Sequence, residues 1–72
     1  MGKKYMKIYL KTEYGFIKMP YGIKSLQKGD EFKMIDPNTK EVYVGFNNRT
    51  VFKCIGDPYW SNKYEEWVID VE

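Results

Sequence analysis

A chain of 72 residues with no histidine and a single cysteine, Cys54, has few routes to covalent chemistry. A thiol or hydroxyl becomes a working nucleophile when a base lies within hydrogen-bond reach. For Ser25, Thr39, Thr50, Ser61 and Cys54 only lysine is available to serve. Cys54 stands in an alternating run between Phe52 and Gly56, the setting of a small buried apolar side chain. Zinc and iron sites draw on several histidine or cysteine ligands, which this composition lacks. Asp57, Glu65 and Glu66 flank one segment, yet their spacing follows no calcium or magnesium loop. Paired carboxylates also need a cleft to work across, and so short a chain has no second lobe to form one. Neither the Walker spacing nor the three-glycine dinucleotide fingerprint occurs. The sequence therefore predicts no catalytic centre, no metal and no cofactor.

What the chain offers instead is aromatic surface. It carries two tryptophans, seven tyrosines and four phenylalanines. Each such ring presents roughly 150–250 Å² for burial, more in total than a core of this size encloses. Tyrosine and tryptophan are enriched where surfaces meet, so the surplus predicts a contact surface, shared with a partner or with further copies of the chain as a homo-oligomer. The densest stretch is Gly56 to Trp67, "GDPYWSNKYEEW". Tyr59 and Trp60 follow a Gly56-Asp57-Pro58 turn and read as loop residues, with one ring folding back onto Trp67 and the other left free. Tyr21 in a Pro-Tyr-Gly loop and Arg49 beside Asn47-Asn48 complete the candidate site. An arginine near rings suits a stacked base or a phosphate. A host protein or a small nucleotide is the expected ligand.

Charge points to an alternative. Residues 1–33 hold eight lysines against three acids, while residues 34–72 hold four basic against seven acidic residues. Lys7 and Lys11 beside Tyr5 and Tyr9, on the outer face of a first strand, form a second candidate surface that would track a nucleic-acid backbone. Intramolecular neutralisation of the two halves is the simpler reading of the same asymmetry.

The elements that position these residues are extended. Met6, Ile8 and Leu10 alternate with Tyr5, Lys7, Tyr9 and Lys11, and Phe16 to Met19 returns after a turn at Thr12 to Gly15, giving a hairpin over residues 5–19. Pro20, Gly22 and Gly29 then redirect the chain, with one helical turn around Ile23 to Gln27. Glu31 to Asp36 reads as a strand with Phe32 and Met34 inward, closed by the turn "DPNTKE". Val42, Val44 and Phe46 form the inward face of the next strand, and Asn47-Asn48 supplies positive φ for a tight turn. Arg49 to Ile55 follows with Phe52 and Cys54 inward. Trp67, Ile69 and Val71 line a last strand.

Five to six short antiparallel strands at roughly 8–12-residue spacing, with no amphipathic helix, predict an all-β domain. A small SH3-like barrel fits best and an OB-like barrel second, with 1–24 as an N-terminal hairpin extension and 25–72 as the core of one domain. The longest apolar run, Val42 to Phe46, falls far short of the ~20 residues that cross a bilayer. Lys7 and Lys11 interrupt any secretory apolar region, and a lone cysteine suits a reducing cytoplasm.

Three stretches carry a resemblance: "SLQKGDEFKMIDPNTKE", "FKCIGDPYW" and the terminal "WVIDVE". In order and spacing they are similar to short phage and mobile-element proteins with a Leu-x-x-Gly-Asp-x-Phe entry, a Ser-Asp-Pro-Tyr turn and a Trp-x-Ile-x-Val-Glu ending. Gly56 stands where the commoner serine would be. The match spans Ser25 to Glu72 and rests on turn and core residues. It implies a small accessory domain of phage type, acting in the host cytoplasm, and brings no activity with it.

Overall fold

The computed structural model describes residues 6–72, so Tyr5 of the second candidate surface lies outside the described residues. Six strands form: β1 Lys7–Thr12, β2 Gly15–Lys18, β3 Glu31–Ile35, β4 Phe52–Lys53, β5 Tyr59–Ser61 and β6 Glu66–Val68. They make a four-stranded antiparallel sheet in the order β2-β1-β3-β4 and a separate β5-β6 hairpin. The described chain is all-β, with two short 3-10 turns and no α-helix. Among the described residues no helix is long and apolar enough to cross a membrane.

The first hairpin forms where alternation and turn chemistry agree. Thr12 Oγ1 donates to the Gly15 carbonyl at 2.7 Å and accepts from the Tyr14 amide at 3.1 Å. Gly15 takes φ +108°, a left-handed angle that glycine adopts without a Cβ penalty. Expected as an extension, this hairpin supplies β1 as an inner strand of the sheet and Ile8 to the core. The core itself is small: Ile8, Leu26, Phe32, Phe52 and Cys54 are buried, and Leu10, Met19, Ile23, Met34 and Ile69 pack around them. Phe32 and Phe52 sit opposite each other on β3 and β4 with ring centroids 5.9 Å apart.

The turn after β3 closes as its residues dictate. Asp36 Oδ1 accepts from the Asn38 amide at 2.8 Å and the Thr39 amide at 3.3 Å, while Lys40, at φ +66°, donates its amide to the Asp36 carbonyl at 2.8 Å. Beyond it the structure corrects the sequence reading. No strand forms over residues 42–46; only an isolated bridge joins Val42 to Ile35. The facing is also inverted, because Tyr43 packs on Phe52 with centroids 6.0 Å apart while Phe46 is 88% exposed. The Asn47-Asn48 pair does take positive φ, at 60° and 59°, but inside a 3-10 turn that begins at Phe46 and swings that ring outward.

Closure of the sheet into a barrel, SH3-like or OB-like, does not occur among the described residues. The strand expected over 49–55 keeps ladder pairing at Phe52–Lys53 alone. The last strand is divided: Glu66–Val68 pairs with β5, and Val71 bridges back to Cys54. The segments flanking the small hairpin tie it to the main sheet: Ile69, just after β6, packs on the core, and the Lys28 amide donates to Asp57 Oδ1 at 2.9 Å, which joins loops 29 positions apart.

Candidate aromatic binding surface

Tyr59 and Trp60 do not sit on a loop, as their proline-led context suggested, but on β5, where pairing with β6 takes up their backbone. Register sets Trp60 directly opposite Trp67. The indoles meet edge to face, 6.1 Å between centroids at 74°, the arrangement that the ring quadrupole favours. Trp60 Nε1 donates to Asn62 Oδ1 at 3.1 Å, and Lys24 Nζ lies 5.4 Å from the centre of a Trp67 ring. Trp60 and Trp67 nevertheless remain 49% and 40% exposed.

A shallow hollow opens on either side of Trp67. The first, of about 700 Å³, is walled by Tyr43, Phe46, Arg49, Trp67 and Val71 and reaches down to Phe52 in the core. The second, of about 940 Å³, is bordered by Lys18, Tyr21, Lys24, Trp60, Glu65 and Trp67. The four residues singled out from sequence are therefore divided. Trp60 and Tyr21 share the second hollow, Arg49 belongs to the first, and Tyr59 lines neither.

Tyr59 is occupied differently. Its hydroxyl donates to Asp70 Oδ1 at 3.2 Å, and that bond, with the carboxylate's charge, holds the phenol above its ordinary pKa. Arg49 is anchored too, donating from Nη1 to the Glu72 carbonyl oxygen at 2.6 Å. The residues that sequence reasoning missed are Phe46 and Tyr43, both mispointed by the apparent Val-Val-Phe alternation. The signal for Phe46 was its position beside Asn47-Asn48, where a turn begins.

Cys54 is buried, and desolvation, reinforced by the charge of Asp30, pushes its thiol from 9.0 up to about 11. Among the described residues no three acidic or cysteine side chains converge as a metal site.

On the second candidate surface, Lys7, Tyr9 and Lys11 all lie on the outer face of β1, opposite the face that buries Ile8. Lys11 Nζ sits 3.8 Å from Glu31 Oε2 across the sheet. Compared with family models, curated proteins and solved structures, the chain matches none.

Proposed function

We propose that this chain is a non-catalytic binding protein whose working surface is the hollow between Phe46 and Trp67, and that it takes an apolar segment of a partner protein. The carrying observation is Phe46, 88% exposed at the mouth of an aromatic-walled hollow that runs down to core rings. Small apolar pockets of roughly 300–1,000 Å³ with few polar groups are the common form of binding site. Exposed rings around such a hollow are the residue types that dominate protein contacts.

A protein segment suits it better than a nucleotide. The first hollow has one cation, Arg49, already bonded to a main-chain carbonyl. The second has Lys7, Lys18 and Lys24, but Glu65 and Glu66 also line it and weaken its attraction for a phosphate. The resemblance of the turn and core motifs to short phage and mobile-element proteins carries no activity; with it, we extend the proposal to a host-cell protein as partner and to a role as an inhibitor or sequestering agent in the host cytoplasm. Further rings away from either hollow, Tyr14 at 92% and Tyr64 at 56% exposed, favour a homo-oligomer as a second reading.

The test pairs wild type with Phe46→Arg, whose fold is checked by circular dichroism, as baits in a host lysate, with mass spectrometry of captured proteins and small molecules. A protein held by wild type and released by the variant supports the reading. Equal capture by both, or a copurifying nucleotide in place of a protein, overturns it. Light scattering that shows a strict monomer at high concentration removes the oligomer.

A further inference from the structure

The two faces of the four-stranded sheet differ completely in chemistry. One face supplies the core and the floor of the Phe46 hollow, through Phe32, Met34 and Phe52. Side chains alternate across a strand, so residues one position away from these stand on the other face. Register then fixes who meets whom there. Tyr9 has Lys18 on β2 and Lys33 on β3 as its cross-strand partners. Lys11 has Phe16, Lys7 has Ile35, and Glu31 has Lys53. Among the described strand residues this face therefore gathers Lys7, Lys11, Lys18, Lys33 and Lys53 against the single acid Glu31.

Intramolecular neutralisation, the simpler account of the lysine-rich front half, is partial on this face, where the strand residues hold five lysines and one acid. Lys11 lies 3.8 Å from Glu31 across the strands, both side chains being half-exposed, and such pairs contribute little. Of the acids of the second half, Asp57 and Asp70 lie on or beside the β5-β6 side, Glu65 and Glu66 border the second hollow at the edge where Lys7 and Lys18 also reach it, and Glu72 donates its amide to the Lys53 carbonyl at the far edge of the sheet. Two rings lie among the lysines: Tyr9, partly exposed, and Phe16, 37% exposed. Lys33 Nζ rests 4.1 Å from the centre of the Phe16 ring, so that ring turns a face, not an edge, toward the cation and the solvent side of the sheet.

We infer that the outer face of this sheet, centred on Tyr9 and Phe16, binds single-stranded nucleic acid. Lysines that surround stacking platforms form the pattern by which small β domains hold single strands without sequence preference. A base takes the ring face of Phe16, and Lys33, displaced from it, turns to a phosphate. Lys18 and Lys7 continue the positive track on either side of Tyr9. A duplex, whose base faces are already stacked, gains only the charge contribution. Because this face is opposite the Phe46 hollow, the inference stands apart from the protein-binding reading, and together they describe a two-faced adaptor.

Fluorescence anisotropy with labelled single-stranded DNA and RNA 12-mers of mixed sequence, and a duplex of the same length, tests it over a range of salt. The single strands should bind more tightly than the duplex, with affinity falling steeply as salt rises. The double variant Lys18→Ala/Lys33→Ala should lower the salt slope by about 1.4, at ~0.7 per lost phosphate contact. Phe16→Ala should weaken binding about 5- to 100-fold and leave that slope unchanged. Amide shifts of the bound protein should map to β1–β3, a readout that needs no variant to fold. No binding at low salt, equal duplex affinity, or shifts confined to the Phe46 hollow would overturn the inference.

Discussion

Gly45 lies flat against the ring of Phe52: a Cβ at residue 45 would stand 2.8 Å from both Cε1 and Cζ of that ring. The backbone at Gly45 has φ −96°, which any residue adopts, so the requirement for glycine here is purely one of space. Phe52 is 7% exposed and packed against Phe32 and Tyr43, so its ring yields to a new methyl group only by giving up those contacts and turning toward the hollow it borders. Gly45→Ala should therefore destabilise the fold by about 1–3 kcal/mol, the usual cost of overpacking, in a chemical denaturation experiment. An unchanged midpoint would mean that the ring moves freely.

The same contact explains why part of the fold was legible in the sequence and part was not. Over residues 7–12 and 31–35 the apolar period of two coincides with the buried face, and the turns that follow carry Thr12 and Asp36, whose side chains bond the local backbone. Over residues 42–46 hydropathy alone puts the valines and Phe46 inside. The structure inverts that face, because only a residue without a side chain fits over Phe52 and because Phe46 already belongs to the following turn. Shape complementarity between positions distant in sequence leaves no periodic trace.

The candidate surfaces were legible to a similar, partial degree. That one ring of Tyr59-Trp60 meets Trp67 was legible in the sequence, though from a loop and not from the β5-β6 pairing that brings it about, whereas the gathering of Lys18, Lys33 and Lys53 around Tyr9 and Phe16 depends on strand order β2-β1-β3-β4. Scattered single lysines become a patch only through that register.

Asp57 accepts the Lys28 amide at 2.9 Å and so fastens the loop before β3 to the segment before β5. Asp57→Ala removes an exposed, charge-assisted hydrogen bond and should cost about 0.5–1.5 kcal/mol. Hydrogen exchange should report it locally, with faster exchange at Lys28 and at the neighbouring Gly29 amide, which donates to the Cys54 carbonyl. Uniformly faster exchange over the whole sheet would show a global effect instead.

Tyr59 donates to Asp70, and the bond favours the neutral phenol. Asp70→Asn removes the charge while keeping an acceptor, so the Tyr59 pKa should move down toward its ordinary value of 10.0. Nuclear magnetic resonance titration of ring-labelled tyrosine resolves this one residue among seven. A Tyr59 titration that is the same in both proteins would show that the carboxylate does not hold the hydroxyl in solution.

Burial of Cys54 makes stability fall in alkali. The folded chain keeps the thiol protonated up to about pH 11, whereas an exposed thiol ionises near its ordinary 9.0. With the folded pKa raised, the stabilisation is complete below the unfolded value and is lost as pH climbs between the two, by at most about 3 kcal/mol. Denaturation midpoints measured from pH 8 to 11 should decline more for wild type than for Cys54→Ala, in which this linkage is absent. Parallel curves would assign the alkaline loss to other groups. Thiol reagents at neutral pH should label the native protein far more slowly than the denatured one.

Phe46 separates binding from folding most sharply. At 88% exposure its ring makes little contact with the rest of the chain, so Phe46→Ser removes almost no buried area and should move the denaturation midpoint by less than about 0.5 kcal/mol. If the hollow beneath it receives a partner's apolar segment, the same substitution removes an anchor at the mouth of the contact and should weaken binding by at least tenfold. Truncating a buried ring such as Phe32 would also abolish binding, but only by unfolding the domain, at about 3–5 kcal/mol. The two variants measured side by side, by denaturation and by partner titration, therefore distinguish a working surface from a core that happens to lie open. Full affinity in Phe46→Ser would place the contact elsewhere on the molecule, with Trp60 and Tyr21 on the far side of Trp67 as the next residues to replace.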